Sequence, residues 1–179
     1  MSLPEPSPGA PGPVRGGGTL PGVSDTQEIA NLVYEYGYRI DAGDFAGIGS
    51  LLADARLTSD DGLMNVSGAD AIAAHYASTT RLYEDTGTPK TKHVFTNMQI
   101  EVDPGGTTAR GKANYLVYQQ TDVLPLQLII TGHYEHRFEK RGDGWRIVEK
   151  KFFVDQVGDL SQHLLFDLAA AQKQATGES

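Results

Sequence analysis

An aspartate, a histidine and a tyrosine carry the chemistry this sequence suggests. Asp41 falls in the last turn of a predicted helix, at the edge of an apolar stripe made by Val33, Tyr36 and Ile40. The backbone dipole there disfavours an anion by roughly 0.3–1 kcal/mol, so a purely solvating carboxylate gains nothing by the position. Tyr36 lies within the stripe, five residues earlier, which points its hydroxyl toward the interior. His93 opens a predicted strand, in Thr91-Lys92-His93-Val94-Phe95-Thr96-Asn97. Histidine at a strand mouth is suited to general-base work, because imidazole titrates near neutral pH. If Asp41 accepts a hydrogen bond from one ring nitrogen, the other is held as a proton acceptor. That is the orienting acid and base of a catalytic triad, without its nucleophile. Each residue alone also fits a plainer role: a boundary acid, a core tyrosine, an exposed strand-end histidine.

The remaining histidines point to less. His133 and His136 are three apart on a predicted strand and so face opposite sides, which argues against a shared metal. His75 lies in a predicted helix beside Tyr76, within reach of a pocket or of solvent, and His163 has nothing near it in sequence to pair with. Asp60-Asp61 before Gly62 reads as the polar tip of a turn. No phosphate loop, dinucleotide-binding glycine pattern or nucleophile elbow occurs, so no cofactor is implied. Fifteen Lys and Arg stand against 23 Asp and Glu, a formal net charge of −8. That balance opposes a nucleic-acid backbone or an anionic membrane as partner. The absence of cysteine removes disulfides, thiol catalysis and thiolate zinc sites, and leaves the redox compartment open.

The elements that must position these residues form one domain. Residues 1–22 hold six of the nine prolines and six of the 21 glycines; they read as a disordered leader with no signal-peptide core or membrane span. Residues 23–171 read as the folded domain and 172–179 as a frayed tail. With no address signal, a cytoplasmic location is the default expectation. A first helix opens near Ser24 and stops at Gly43, and Asp44 caps a second short one. A short strand over 56–59, a turn at Asp61-Gly62 and a return strand over 63–66 precede a third helix over about 67–83. Four long strands follow, at about 92–102, 107–121, 126–140 and 145–156, joined by hairpin turns, with a closing helix over about 160–171. Helices first and antiparallel strands after them make an α+β plan with helices on one sheet face.

Taken together, these stretches resemble the SnoaL-like branch of the nuclear transport factor 2-like superfamily. The matching segments are Tyr34-Glu35-Tyr36-Gly37-Tyr38-Arg39-Ile40-Asp41-Ala42-Gly43-Asp44-Phe45, His93-Val94-Phe95-Thr96-Asn97-Met98-Gln99-Ile100, and Gly132-His133-Tyr134-Glu135 through Asp143-Gly144-Trp145-Arg146-Ile147. The resemblance implies a cone-shaped, cystatin-like fold: a curved antiparallel sheet packed on three N-terminal helices. Scytalone dehydratase, hexachlorocyclohexane dehydrochlorinase and bile acid 7α-dehydratase in that superfamily use an aspartate–histidine pair, and Asp41 and His93 fall on it. Tyr36 falls on a tyrosine similar to that of bile acid 7α-dehydratase and ketosteroid isomerase. Scytalone dehydratase has a second histidine on the next strand, where this chain reads Lys112-Ala113-Asn114-Tyr115. The isomerase's general-base aspartate would fall near Ser59 or Asp60, and Tyr134 on its second oxyanion donor. Lys150 or Lys151 could stand in for a basic residue near the end of the sheet.

The resulting expectation is a cofactor-free lyase acting by proton abstraction and elimination on a small apolar cyclic substrate. His93 would be the base, Asp41 its orienting acid, and Tyr36 the donor to an oxyanion or departing hydroxyl, with Tyr115, Tyr118 and Tyr134 lining the pocket. The alternatives are a non-catalytic ligand binder or a structural subunit like that of ring-hydroxylating dioxygenases, and a ketosteroid isomerase-like isomerase. Apolar residues at both strand parities (Met98, Ile100 and Val102 beside Phe95; Leu128 and Ile130 beside Ile129) suggest a second buried sheet face. A homodimer or homotrimer is expected from them.

Overall fold

The computed structural model describes residues 23–142 and 144–176; the leader over 1–22, Asp143 and residues 177–179 lie outside the described residues. The first helix, α1 (Asp25–Ala42), begins where the Ser24 hydroxyl accepts from the Gln27 N–H at 3.2 Å. It ends at Gly43, whose φ of 72° is the left-handed conformation that glycine adopts without a Cβ penalty. Ile29, Val33, Tyr36 and Ile40 form its buried stripe. Burial of each aliphatic member stabilises by roughly 1.5–3 kcal/mol before side-chain entropy is subtracted. Asp44 caps α2 (Phe45–Leu51), with its carboxylate accepting from the Gly47 N–H at 2.8 Å. The hairpin β1 (Arg56–Ser59) and β2 (Asn65–Ser67) leads into α3 (Ala69–Thr79), which packs on α2 through Ile72 and Tyr76.

Four long strands follow: β3 (Thr91–Val102), β4 (Thr108–Gln119), β5 (Gln127–Arg141) and β6 (Gly144–Val157). They join the first hairpin in one six-stranded sheet of order β2-β1-β6-β5-β4-β3. Neighbours run antiparallel except β1 with β6, which pair in parallel. The helices cover one face, and the core lies between: Ile48, Leu57, Ile72, Phe138, Trp145 and Ile147 are almost fully enclosed. Trp145 ties the start of β6 to the start of α1. Its indole N–H donates to Asp25 and its backbone N–H to Glu28, each at 3.0 Å. No helix among the described residues is long and apolar enough to cross a membrane.

Two details differ from the sequence expectation. A bulge in β3 places Asn97 at φ 53° and shifts the register between Thr96 and Gln99. The extra residue reverses parity. Phe95 before it and Met98, Ile100 and Val102 after it therefore all pack on the same core. A second shift, between Val117 and Tyr118, lets neighbours Ile129 and Ile130 both turn inward. Apolar residues at both parities thus arise largely from bulges rather than from two buried faces. The other difference is at the C-terminus. Residues 158–167 form turns and an isolated bridge, Thr80 to Leu164, and the helix α4 comes later, at Leu168–Thr176. Leu160 and Leu164 are apolar because they close over a cavity, not because they form a helical stripe.

Candidate functional site

The end of α1 meets the start of β3, and this crossing places the acid beside the base. Gly37 permits the approach, since a Cβ there would stand 2.6 Å from the ring of Phe95. Asp41 reaches across and its Oδ1 lies 2.7 Å from Nδ1 of His93. The His93 backbone N–H donates to Oδ2 at 2.9 Å and the Thr91 hydroxyl to Oδ1 at 2.9 Å. Three donors therefore fix one carboxylate, and the two side chains are only 6% and 10% exposed. Burial by itself would raise the Asp41 carboxyl; the His93 ring and backbone and the Thr91 hydroxyl outweigh it and hold the group below its ordinary value. A carboxylate can only accept, so Nδ1 carries a proton, and in the neutral ring the lone pair lies on Nε2. Nε2 is the nitrogen available to a ligand.

His93 lines a cavity of about 190 Å³ between the helices, the sheet and the C-terminal segment. Tyr36 and Tyr76 share a hydrogen bond at 3.0 Å between their hydroxyls, on the helix side. Burial pushes the Tyr36 phenol up to about 12, against the lowering effect of the Tyr76 and Tyr134 hydroxyls. Tyr36 is a protonated donor at any neutral pH. Tyr115 and Tyr134 form the opposite wall, their rings stacked with centroids 4.3 Å apart. Burial raises both phenols too. The Tyr115 hydroxyl donates to the Phe153 carbonyl at 3.0 Å. Ile130, Phe152, Val154, Leu160 and Leu164 supply apolar wall.

Of the residues chosen from sequence, the structure brings Asp41, His93, Tyr36, Tyr115 and Tyr134 to this one place. Tyr118 is the exception. The inward residues of β4 are Ala113, Tyr115, Val117 and Gln119, so a residue three beyond Tyr115 stands on the outer face. Of the Asp60-Asp61 turn, Asp61 borders the cavity, held by the Ser59 hydroxyl at 2.5 Å and by Gln172 of α4 at 3.0 Å. Lys150 is buried beneath the tyrosines, its Nζ 3.1 Å from the Tyr134 ring centroid and 3.4 Å from His136 Nε2. Burial drives its amine well below the usual lysine range, and His136 well below the usual histidine range. Lys151 instead faces outward over Phe153.

Sequence reasoning gave no place in the site to His163 and left His75 open. Both line the cavity, with Tyr76 beside His75. Long-range contacts bring His163 there, among them the bridge between Thr80 and Leu164, 84 residues apart in the chain, and the hydrogen bonds of Tyr83 and Gln119 to the Gln162 carbonyl, and no local pattern encodes them. Among the described residues no cluster of three or more His, Asp or Glu is arranged to hold a metal ion. A larger outer-face depression, about 590 Å³, is lined by cross-strand charges such as Lys112, Glu135 and Lys151.

Helices packed on one face of an open, six-stranded sheet are the fold of the nuclear transport factor 2-like, cystatin-like proteins. The chain belongs to the SnoaL-like domain family, which it matches over residues 22–151. Among solved structures it is similar to a nuclear transport factor 2-like protein with a cystatin-like fold from Novosphingobium aromaticivorans. That pair shares 20% identity over 84% of this chain and 88% of the other, with a TM-score of 0.61. A candidate scytalone dehydratase from the same organism shares 18% identity over 75% and 86% of the two chains, at a TM-score of 0.59. ActVI-ORFA from Streptomyces coelicolor shares 16% over 74% and 98%, also at 0.59. No curated protein matches the sequence.

Proposed function

We propose that the chain is a lyase that eliminates water, or a comparable leaving group, from a small, largely apolar cyclic substrate. The observation that carries this reading is the 2.7 Å contact between Asp41 and His93 Nδ1 at the wall of an apolar cavity. Nε2 of His93 takes a proton from carbon beside a carbonyl, and the carbon–hydrogen electron pair moves toward the carbonyl oxygen. Tyr36 donates a hydrogen bond to that developing oxyanion, in a cavity where low dielectric strengthens the bond. As the enolate collapses, the carbon–oxygen bond to the β-hydroxyl breaks, and the His93 imidazolium returns the proton so that water leaves. Asp41 stabilises the imidazolium between the two steps. These steps need only the side chains named.

The test is exchange of the α-protons of 2-tetralone in deuterated water, followed by NMR with the full chain. The wild type accelerates exchange, and His93→Gln slows it by about 10²–10⁴-fold, the usual worth of a positioned base. Equal exchange by wild type and variant sinks the lyase reading. If the ketone binds but no exchange occurs in either protein, the cavity belongs to a ligand binder.

Two further features of this reading are a cytoplasmic location and self-association through the outer sheet face. Val94 and Leu128 are 41% and 37% exposed there, next to Leu116 and Tyr118 on β4. That apolar strip supports a homodimer or homotrimer.

A further inference from the structure

Behind the tyrosine wall of the cavity lies the amine of a fully buried lysine. Lys150 is 1% exposed, and its Nζ lies 3.1 Å from the ring centroid of Tyr134, 4.1 Å from that of Tyr36 and 4.8 Å from that of Phe152. All three rings line the cavity, so the amine stands directly behind its surface. Its hydrogen-bond partner is His136, whose Nε2 lies 3.4 Å away. The groups that face it are thus Tyr36 from α1, Tyr134 and His136 from β5, and Phe152 from β6. Its register partner on β1 is the apolar Leu57. No carboxylate stands beside the amine among the described residues. Aromatic faces and an imidazole lone pair are surroundings that suit an ammonium. The lining of a cation cage is therefore present and its anion is missing. The cavity, on the other side of the same rings, is where an anion can sit.

We propose that Lys150 is a countercharge held in reserve: its amine takes up a proton when a planar anion, an enolate or a phenolate, occupies the cavity, and attracts that anion from behind the rings of Tyr36 and Tyr134. This rests on the lyase reading, whose enolate is such an anion. Lys150 touches no substrate atom, so it is a positioning residue. Without a ligand, burial drives the amine well below the usual lysine range. Burial does the same to His136, with the charge of Lys150 adding to it. An anion in the cavity opposes the effect on Lys150, because opposite charges attract strongly where water is excluded. His136 stays neutral, and its lone pair accepts from the ammonium. The added proton comes from solvent and returns to it when the anion leaves, so the buried region gains no net charge. By linkage, proton and anion strengthen each other's binding by the same factor. The anion therefore binds most tightly below the amine's value in the empty protein, and the gain is lost as pH rises through the higher value of the complex. A neutral ketone draws no such proton.

The probe is 2,4-dinitrophenol, an anion throughout the titration, with 2-tetralone as the neutral comparison. The full chain is labelled with ¹³Cε-lysine, because the three rings around Lys150 move its resonance away from those of surface lysines. Saturation with dinitrophenolate is expected to raise the Lys150 titration midpoint by about one pH unit or more, a gain of about tenfold in proton affinity. Saturation with 2-tetralone leaves the midpoint unmoved. Lys150→Met, which keeps the length of the side chain, weakens dinitrophenolate binding about tenfold at a pH below the wild-type midpoint, while 2-tetralone binds within about threefold. The substitution costs the same factor in a His93→Gln background, which separates the amine from any charge gained by His93. The proposal is overturned if dinitrophenolate fails to bind, if the midpoint stays where it is or moves equally with 2-tetralone, or if Lys150→Met binds the anion as the wild type does. A raised midpoint without catalysed exchange of the 2-tetralone protons would remove the lyase reading and leave this one standing. Catalysed exchange with an unmoved midpoint would do the reverse.

Discussion

At Asp41 three hydrogen-bond donors converge on a carboxylate that has almost left water. Its folded-state affinity for a proton is below the ordinary value of 3.8. The stability this contributes is present above that value and is lost as pH falls through the lower, folded one. Asp41→Asn is expected to flatten the acid limb of a stability–pH curve measured by urea unfolding. It should also slow 2-tetralone exchange by at least tenfold, because an amide no longer selects the Nε2 lone pair of His93. Tyr36→Phe removes a donor but keeps the ring, so exchange slows about 10²-fold with little change in ketone binding. Asp41, Tyr36 and His93 were legible in the sequence because each stands where its residue type is awkward: an anion at a helix C-terminus, a hydroxyl in an apolar stripe, an imidazole at a strand mouth. His163 stands in a segment whose placement depends on a bridge to Thr80. Tyr118 was misplaced because two tyrosines three apart on a strand cannot share a face.

Among the elements, β3 carries the most consequence per residue. Its bulge turns Met98, Ile100 and Val102 onto the same core that Phe95 enters, while His93 stays at the cavity. Asn97 sits in the left-handed region, which asparagine tolerates and β-branched residues do not. Asn97→Val is expected to destabilise by about 1–3 kcal/mol in chemical unfolding, and Asn97→Gly to leave stability within about 0.5 kcal/mol. The order of helices and strands could be read from capping residues, turn glycines and period-two patterning. The bulges could not, because a single inserted residue looks identical to a strand with two apolar faces. The parallel pairing of β1 with β6 was equally hidden, since those strands are remote in sequence.

The whole molecule encloses a lysine amine that, among the described residues, has no carboxylate beside it. Lys150 Nζ sits among Tyr36, Tyr134 and Phe152, with His136 at 3.4 Å. An amine whose folded pKa is depressed takes up its proton more readily when unfolded. Stability is therefore full above the unfolded lysine value near 10.5 and is lost as pH falls below it, by up to about 1.4 kcal/mol per pH unit. Lys150→Met is expected to be more stable than the wild type at pH 7, with the gap closing toward pH 10, as read from urea midpoints. Self-association is tested at the same scale. Light scattering should find a dimer or trimer, and Val94→Lys with Leu128→Lys should yield a monomer that still binds 2-tetralone. A monomeric wild type at 100 μM would remove the oligomer proposal.

The tie between Trp145 and Asp25 joins residues 120 positions apart, and β1 has only β6 to pair with on its inner side. A ribosome therefore delivers α1, α2, the first hairpin and α3 long before the strand that holds them together. Until Gly144–Val157 has cleared the exit tunnel, α2 and α3 can pack on each other, but β1 lacks its inner neighbour and α1 lacks Trp145, so the sheet closes only once β6 is made. Nascent chains arrested before β6 should therefore be chaperone-bound and protease-sensitive, and the protein's yield in a cell should depend on how that waiting period is guarded.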